Sequence, residues 1–230
     1  MAYFDHFATS PMTGVGRRIL LRVLDQEYSF LRTYLHDQRS AILEIGPGRG
    51  EMANLLIRDG FTNYTAVEPN QLMHEVLARQ GLRVKNYLIP QLDEADESYD
   101  AIVLKDVFEH LNDSNAAQLF ISEARRVLRP GGIIFISCPD YTHWLVDFYN
   151  ADFSHNNITT VRRTIQLFMN YGLTYVDHAF LSGFVRGHLA TVLSLLVHSG
   201  MFFVRAAENE AKLYKLKLTF LRRFMIIGRK

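Results

Sequence analysis

The chain has 230 residues, enough for one full hydrophobic core and short of the length at which a second domain is expected. Hydrophobic residues at 48% and charged residues at 21% exclude general disorder, and a formal net charge of +1 offers no whole-molecule attraction for a polyanion, so no nucleic-acid partner is expected. A single cysteine, Cys138, excludes an internal disulfide, and no paired Cys/His spacing suggests zinc, so a reducing cytoplasmic setting without a metal is expected.

Residues 11–37 carry Val15, Ile19, Leu20, Val23, Leu24, Phe30, Leu31 and Leu35 at helical spacings, which predicts an amphipathic helix ahead of a sheet and over its cleft. The aromatic cluster Tyr3, Phe4, His6 and Phe7 either helps cap that cleft or docks a loose terminus. No basic segment followed by an apolar core opens the chain, so a secretory signal is not expected.

The apolar run from Ala41 leads into Glu44-Ile-Gly-Pro-Gly-Arg-Gly50, which reads as a strand, a glycine turn and a helix. Glycines at 46, 48 and 50 remove Cβ atoms where the backbone turns sharply and comes close to a ligand. A dinucleotide fingerprint, G-x-G-x-x-G, would need glycine at 51, where Glu51 stands. Glu44 and Glu51 also set two carboxylates beside a helix N-terminus, where phosphate needs an unopposed positive dipole. The loop therefore suits a cation without phosphate, such as the sulfonium and ammonium of S-adenosylmethionine.

Past the turn, residues 52–59 predict a helix and 64–68 a strand ending in Glu68 and Pro69, with the carboxylate placed to accept hydrogen bonds from ribose hydroxyls. A helix over 71–80, a third strand over 82–87, an acidic loop at 93–98 and a fourth strand over 99–104 follow. Lys105-Asp-Val-Phe-Glu-His-Leu111 leaves that strand, residues 115–128 predict a helix, and 133–137 a fifth strand. Strands alternating with helices at this pitch imply a parallel sheet covered on both faces.

Four stretches together resemble the class I S-adenosylmethionine-dependent methyltransferases, in particular those acting on small molecules and sugars. They are Leu43 to Gly50, Ala66-Val-Glu-Pro69, Ser98 to Val103 with Val107-Phe-Glu-His-Leu111, and Val127 to Ser137. The resemblance covers residues 38–140 and implies a Rossmann-like, doubly wound α/β fold with a mostly parallel seven-stranded sheet whose last strand is antiparallel. It implies one domain: a helical cap over 1–37, a cofactor-binding core over 38–140, acceptor-side loops and helices over 141–217, and a terminal strand over 218–230. By the same resemblance, Glu44, Gly46, Pro47, Gly48 and Gly50 hold the methionine part of the cofactor and Glu68 with Pro69 the ribose. Lys105, Asp106 and Val107 line the sulfonium side. Many relatives place an acidic residue after the third strand to bind adenine; here Asn86 and Tyr87 stand there, and Asn86 serves through its side-chain oxygen or backbone groups do.

Methyl transfer to a hydroxyl is helped by a base near neutral pKa, and histidine is the usual choice. Candidates are His110 beside Glu109, His143 in the segment after the fifth strand, and His155 in Asp152-Phe-Ser-His155; each reads equally as a structural histidine. Asp140, Tyr141 and Trp144 are the expected acceptor wall, unless they only pack the domain edge. Cys138 reads as a small core residue. Later segments predict a helix over 161–170 capped by Thr159 or Thr160, a strand over 173–180, an apolar helix over 183–199 and a strand from 218. The apolar run 189–204 is short for a bilayer span. With the basic residues Lys212, Lys215, Lys217, Arg222 and Arg223 it reads as a membrane-surface foot over 186–223, at the inner membrane surface, or as a lid or dimer contact with a solvated basic face. The function expected is transfer of a methyl group, by O-methylation, to a small-molecule or saccharide-type acceptor. The rival readings are a non-catalytic binding module of this fold and a NAD-type reductase.

Overall fold

A computed structural model describes residues 14–204 and 211–230. The aromatic cluster at residues 3–7 and the expected start of the first helix lie outside them. In chain order the elements are α1 (Gly14–Arg32), β1 (Ile42–Ile45), α2 (Glu51–Arg58), β2 (Tyr64–Val67), α3 (Gln71–Arg79), β3 (Val84–Lys85), β4 (Tyr99–Lys105), a 3-10 turn (Phe108–His110), α4 (Ser114–Val127) and β5 (Leu128–Pro139). Then follow α5 (Tyr141–Trp144), α6 (Val146–Ala151), α7 (Val161–Asn170), β6 (Thr174–Ser182), β7 (Val185–Arg186), α8 (His188–Gly200), α9 (Ala211–Phe220) and β8 (Arg223–Arg229).

One sheet runs in the order β3-β2-β1-β4-β5-β8-β6-β7. Strands β1 to β5 are parallel, and β8 is antiparallel to both its neighbours, β5 and β6. Because side chains alternate across a strand, the apolar runs bury both faces of the sheet. Leu43, Ile45, Ile102 and Leu104 pack with Phe120, Ile121 and Ala124 of α4 on one side. Ile42, Ala101, Val103 and Phe135 pack with Leu24 and Leu31 of α1 and Met52 and Leu56 of α2 on the other.

The sheet has eight strands where seven were expected. The additional strand is β7, which folds back on β6 with Leu181 opposite Arg186 and Ser182 opposite Val185. Gly183, at φ 55°, and Phe184 form the two-residue turn, a position where positive φ favours glycine. The apolar helix expected from residue 183 therefore starts at His188. Strand β5 begins at Leu128, which pairs with Tyr99 before the register shifts. The last strand is shorter than the expected 218–230: residues 218–220 complete α9, and pairing starts where Arg223 meets Pro139. Thr160 caps α7 by accepting the Arg163 N–H. Among the described residues no helix is long and apolar enough to cross a membrane.

Candidate active site

A cleft of about 690 Å³ opens at the carboxyl ends of β1, β2 and β4. This is where an open α/β sheet places its ligands, and the size lies within the ~300–1,000 Å³ of sites that enclose a small molecule. The turn after β1 contributes Gly46, Pro47 and Gly48 to its lining. Gly46, Gly48 and Gly50 have φ of 63°, 59° and 80°, a region that glycine enters without a Cβ penalty. Gly46 also meets a steric limit, since a Cβ there would stand 2.5 Å from Val107 Cγ2. Gly50 does not line the cleft; it precedes α2, and a Cβ on it would meet Leu77 Cδ2 at 3.0 Å.

Glu44 is buried between Ala66 of β2 and Val103 of β4 and faces the cleft. The Tyr64 hydroxyl donates to its Oε2 at 2.6 Å. Burial pushes the Glu44 carboxyl up to about 7, against the pull of the Tyr64 hydrogen bond and the Lys105 charge. At the tip of β2, Glu68 accepts the Asn70 N–H at 2.8 Å, and burial raises its pKa as well. A positively charged ligand lowers the electrostatic cost of both carboxylates. Pro69, Asn70 and Met73 continue this wall, while Tyr87, Leu88, Ile89 and Pro90 form an apolar slot. Asn86, the expected adenine partner, is exposed and lies outside the cleft. Two-residue β3 ends at Lys85, so the chain crosses the cleft mouth only from Tyr87 onward.

Lys105, Asp106 and Val107 leave β4 and line the floor. Beneath them the fold assembles a charge network that the sequence did not announce. Glu27 of α1 is fully buried and accepts Ser137 Oγ at 2.6 Å and Arg223 Nη2 at 3.4 Å, and its other oxygen is 3.9 Å from Lys105 Nζ. Arg223 and Lys105 both pair with Asp106, whose φ is 56°. Burial alone would raise Asp106, but Arg223 and then Lys105 overcome it and hold the carboxyl well below its usual range. Asp106 is therefore a poor proton acceptor and a firm anchor. The available sequence signal was Glu27 itself, a carboxylate set in the apolar stripe of Val23, Leu24, Phe30 and Leu31.

The cleft is also lined by His110, Leu111, Asn112, Ala116 and Asp152, and by Leu20 and Leu24 of α1. Of the three candidate histidines, only His110 lines the cleft. Its ring lies 4.8 Å, centroid to centroid, from that of His155, which is buried behind it against Phe148 and Trp144. Burial lowers the pKa of both rings. Glu109 is also buried here, and burial followed by the Asp106 charge pushes its carboxyl up to about 8. The expectation of no metal site rested on chain spacing; the fold brings Glu109, His110 and His155 together from two separate segments.

Asp140, Tyr141, His143 and Trp144, in the segment after β5, are not among the residues that line the cleft. The register Pro139–Arg223 sets Arg222 beside Asp140, and its Nε and Nη2 donate to Asp140 Oδ2 at 3.0 and 2.6 Å. Trp144 Nε1 donates to the Arg222 carbonyl at 2.9 Å, and His143 Nδ1 lies 3.0 Å from Ser194 Oγ. Tyr141 packs edge-on against Phe148 and Tyr149. These side chains tie β5 to β8 and α8. Cys138 is buried, and burial raises its thiol pKa well above the usual range.

The arrangement fits S-adenosylmethionine: carboxylates face the cationic end, a glycine turn admits close backbone approach, and an apolar slot accepts a base. A family model described as "Methyltransferase domain" matches residues 17–178. Among curated proteins, the probable S-adenosylmethionine-dependent methyltransferase of Mycolicibacterium smegmatis is 30% identical over 145 residues, covering 59% of this chain and 55% of that protein. The ubiquinone biosynthesis O-methyltransferase of Mesorhizobium japonicum is 31% identical over 101 residues, covering 42% and 39%. The matched region thus spans about half the length, or less, of these curated relatives. Among solved structures, a SAM-dependent methyltransferase from Archaeoglobus fulgidus superposes with a TM-score of 0.62 at 19% identity, covering 90% of this chain and 94% of that one. The [4+2]-cyclase SpnF superposes with a TM-score of 0.65 at 16% identity, covering 90% and 80%. Because the methyltransferase model covers well over half of the sequence and the sheet carries the expected winding, the chain belongs to the class I S-adenosylmethionine-dependent methyltransferases, and S-adenosylmethionine is its cofactor.

Proposed function

We propose that this methyltransferase transfers its methyl group to a hydroxyl of a small-molecule or saccharide-type acceptor. The observation that carries this reading is the mixed lining of the cleft, where His110, Asn112 and Asp152 add polar groups to the apolar Leu20, Leu24 and Leu111. A polyhydroxylated ring presents this mixture of faces. The name of the Mesorhizobium relative, an O-methyltransferase, favours oxygen as the attacked atom.

S-adenosylmethionine supplies a methyl carbon already activated by its sulfonium. Glu44, the 46–50 turn and Lys105 to Val107 hold the methionine end; Glu68 and Pro69 hold the ribose; Tyr87 to Pro90 enclose the base. What remains for the chain is to align the acceptor oxygen with the methyl and exclude water, which for an in-line displacement is most of the catalytic task. Leu20, Leu24 and Met52 add apolar lining from α1 and α2, which favours exclusion of water.

A second reading concerns location. On α8 and beyond, Leu189, Leu196 and Phe203 are 70%, 66% and 91% exposed, and the lysines Lys212 and Lys215 are exposed nearby in sequence. These support a peripheral contact with an anionic membrane surface on the cytoplasmic side. Sedimentation with phosphatidylserine vesicles tests it: binding lost on Leu196→Glu supports the contact, and absence of binding at low salt counts against it.

For the acceptor, a cell extract is incubated with the enzyme and isotopically labelled methyl donor and analysed by mass spectrometry. Label recovered as an O-methyl group on a small compound supports the proposal. Label on an amine or a protein lysine would contradict it, and a Glu68→Ala protein retaining full biological activity would favour the non-catalytic module instead.

A further inference from the structure

We propose that Glu109, His110 and His155 form a binding site for one divalent cation, where His110 lines the cleft. One ligand-type atom from each of the three residues lies within 4.8 Å of the others. Glu109 is 1% exposed, and its Oε2 has no hydrogen-bond partner among the described residues. A buried carboxylate oxygen left unmatched costs on the order of 1–3 kcal/mol, more when charged, and a bound cation would offset that cost.

The hydrogen bonds fix the imidazoles as ligands. His155 Nδ1 lies 2.6 Å from the Phe148 carbonyl, which only accepts, so Nδ1 carries the proton and Nε2 the lone pair. Ser154 Oγ donates to Asp152 Oδ1 at 2.6 Å. His110 Nδ1, 2.8 Å from the same Oγ, is therefore the donor in that contact, which again leaves the lone pair on Nε2. Each ring is thus oriented through its other nitrogen by a carbonyl or by a hydroxyl tied to a carboxylate, the outer arrangement that metal-bound histidines show.

Two imidazoles with one carboxylate suit a borderline cation such as Zn²⁺ or Co²⁺ better than Mg²⁺ or Ca²⁺, which take oxygen ligands. Ligand bonds of about 2.0–2.1 Å require the three side chains to close by on the order of an ångström. Three protein ligands leave a coordination position open. The site does not depend on the identity of the methyl acceptor.

The test is calorimetric titration of the full chain, freed of metal by chelation, with ZnCl₂, beside Glu109→Gln and His155→Ala. Binding of S-adenosylhomocysteine by the same preparations reports that each variant is folded, since neither residue lines the cleft. The expected result is one equivalent of Zn²⁺ bound with micromolar affinity, weakened by at least about tenfold in each variant. A wild-type chain that binds no Zn²⁺, or folded variants that bind it as tightly, would overturn the proposal and make Glu109 a neutral, protonated core residue. Should either variant fail to fold, the visible spectrum of the wild-type chain with Co²⁺ decides: bands of a site with nitrogen and oxygen ligands support it, and their absence refutes it.

Discussion

Tyr64 donates its hydroxyl hydrogen to Glu44 across 2.6 Å of the buried β1–β2 surface, two residues along from the partner it faces in register, Ile42. The bond lowers the Glu44 pKa, yet burial wins and leaves it at about 7 against an ordinary 4.5. A pKa raised on folding means that the folded chain holds this proton more tightly than the unfolded one. The associated stability is present below pH 4.5 and is lost as pH rises through 7, on the order of 3 kcal/mol in full. Urea unfolding of the cofactor-free protein is expected to show a falling midpoint between pH 5 and pH 8. Glu44→Gln is expected to reduce that slope and leave the part carried by Glu109, whose carboxyl is raised to about 8.

The same carboxyl is expected to make cofactor binding pH-dependent with the opposite sign. The ammonium of S-adenosylhomocysteine favours the ionised form, so affinity should rise by about tenfold from pH 6 to pH 8 and flatten above. Calorimetry in buffers of different ionisation enthalpy would register a proton released on binding near pH 6. Glu44→Gln should bind more weakly at pH 8 and without proton release.

Gly46 and Gly48 share a left-handed backbone but differ in their neighbours, because only Gly46 faces Val107 at a Cβ distance of 2.5 Å. Gly48→Ala is expected to cost about 1–2 kcal/mol, the conformational penalty alone. Gly46→Ala should cost more and abolish measurable cofactor binding, with partial recovery in Gly46→Ala/Val107→Ala. Equal effects of the two single changes would remove Val107 from the account.

Lys217 and Asp147 form an ion pair at 2.6 Å with both side chains fully buried, joining α9 to α6. Asp147→Ala leaves a buried lysine uncompensated and is expected to destabilise by about 3–5 kcal/mol. Lys217→Met/Asp147→Leu should recover much of this loss. Chemical denaturation of the single and double variants measures both.

Asp140 is placed by Arg222 as a tie between strands and not as an acceptor contact. Asp140→Asn is therefore expected to lower the melting temperature while leaving the affinity for S-adenosylhomocysteine within about twofold. A selective rise in the KM of the acceptor, with stability unchanged, would return Asp140 to the acceptor wall.

The cofactor half was legible because its residues come from consecutive strand ends. Glu44, Gly46 to Gly48, Glu68 and Lys105 to Val107 lie at or just past the carboxyl ends of β1, β2 and β4, and parallel strands bring those ends to one edge. The rest depends on residues that meet only after the sheet is wound. Glu27 reaches Ser137 and Arg223 across 110 and 196 positions of sequence, and no local spacing encodes that. The surroundings of the segment after β5 were hidden for a related reason. The antiparallel entry of β8 places Arg222 beside Asp140, a pairing that no local spacing encodes. Asn86 follows the two-residue β3 and is not among the cleft residues, whose lining on this side starts at Tyr87.

Glu68 tests the central claim most directly, since its carboxyl faces the cleft and its recorded tie to the fold is the Asn70 N–H. The measurement is calorimetric titration of wild-type and Glu68→Ala protein with S-adenosylhomocysteine at pH 8. One equivalent is expected to bind the wild type, and the variant should lose about 1.5–3 kcal/mol of binding, roughly tenfold or more, while still unfolding in one cooperative transition. Failure of the wild type to bind at millimolar ligand, while NAD binds, would contradict the account.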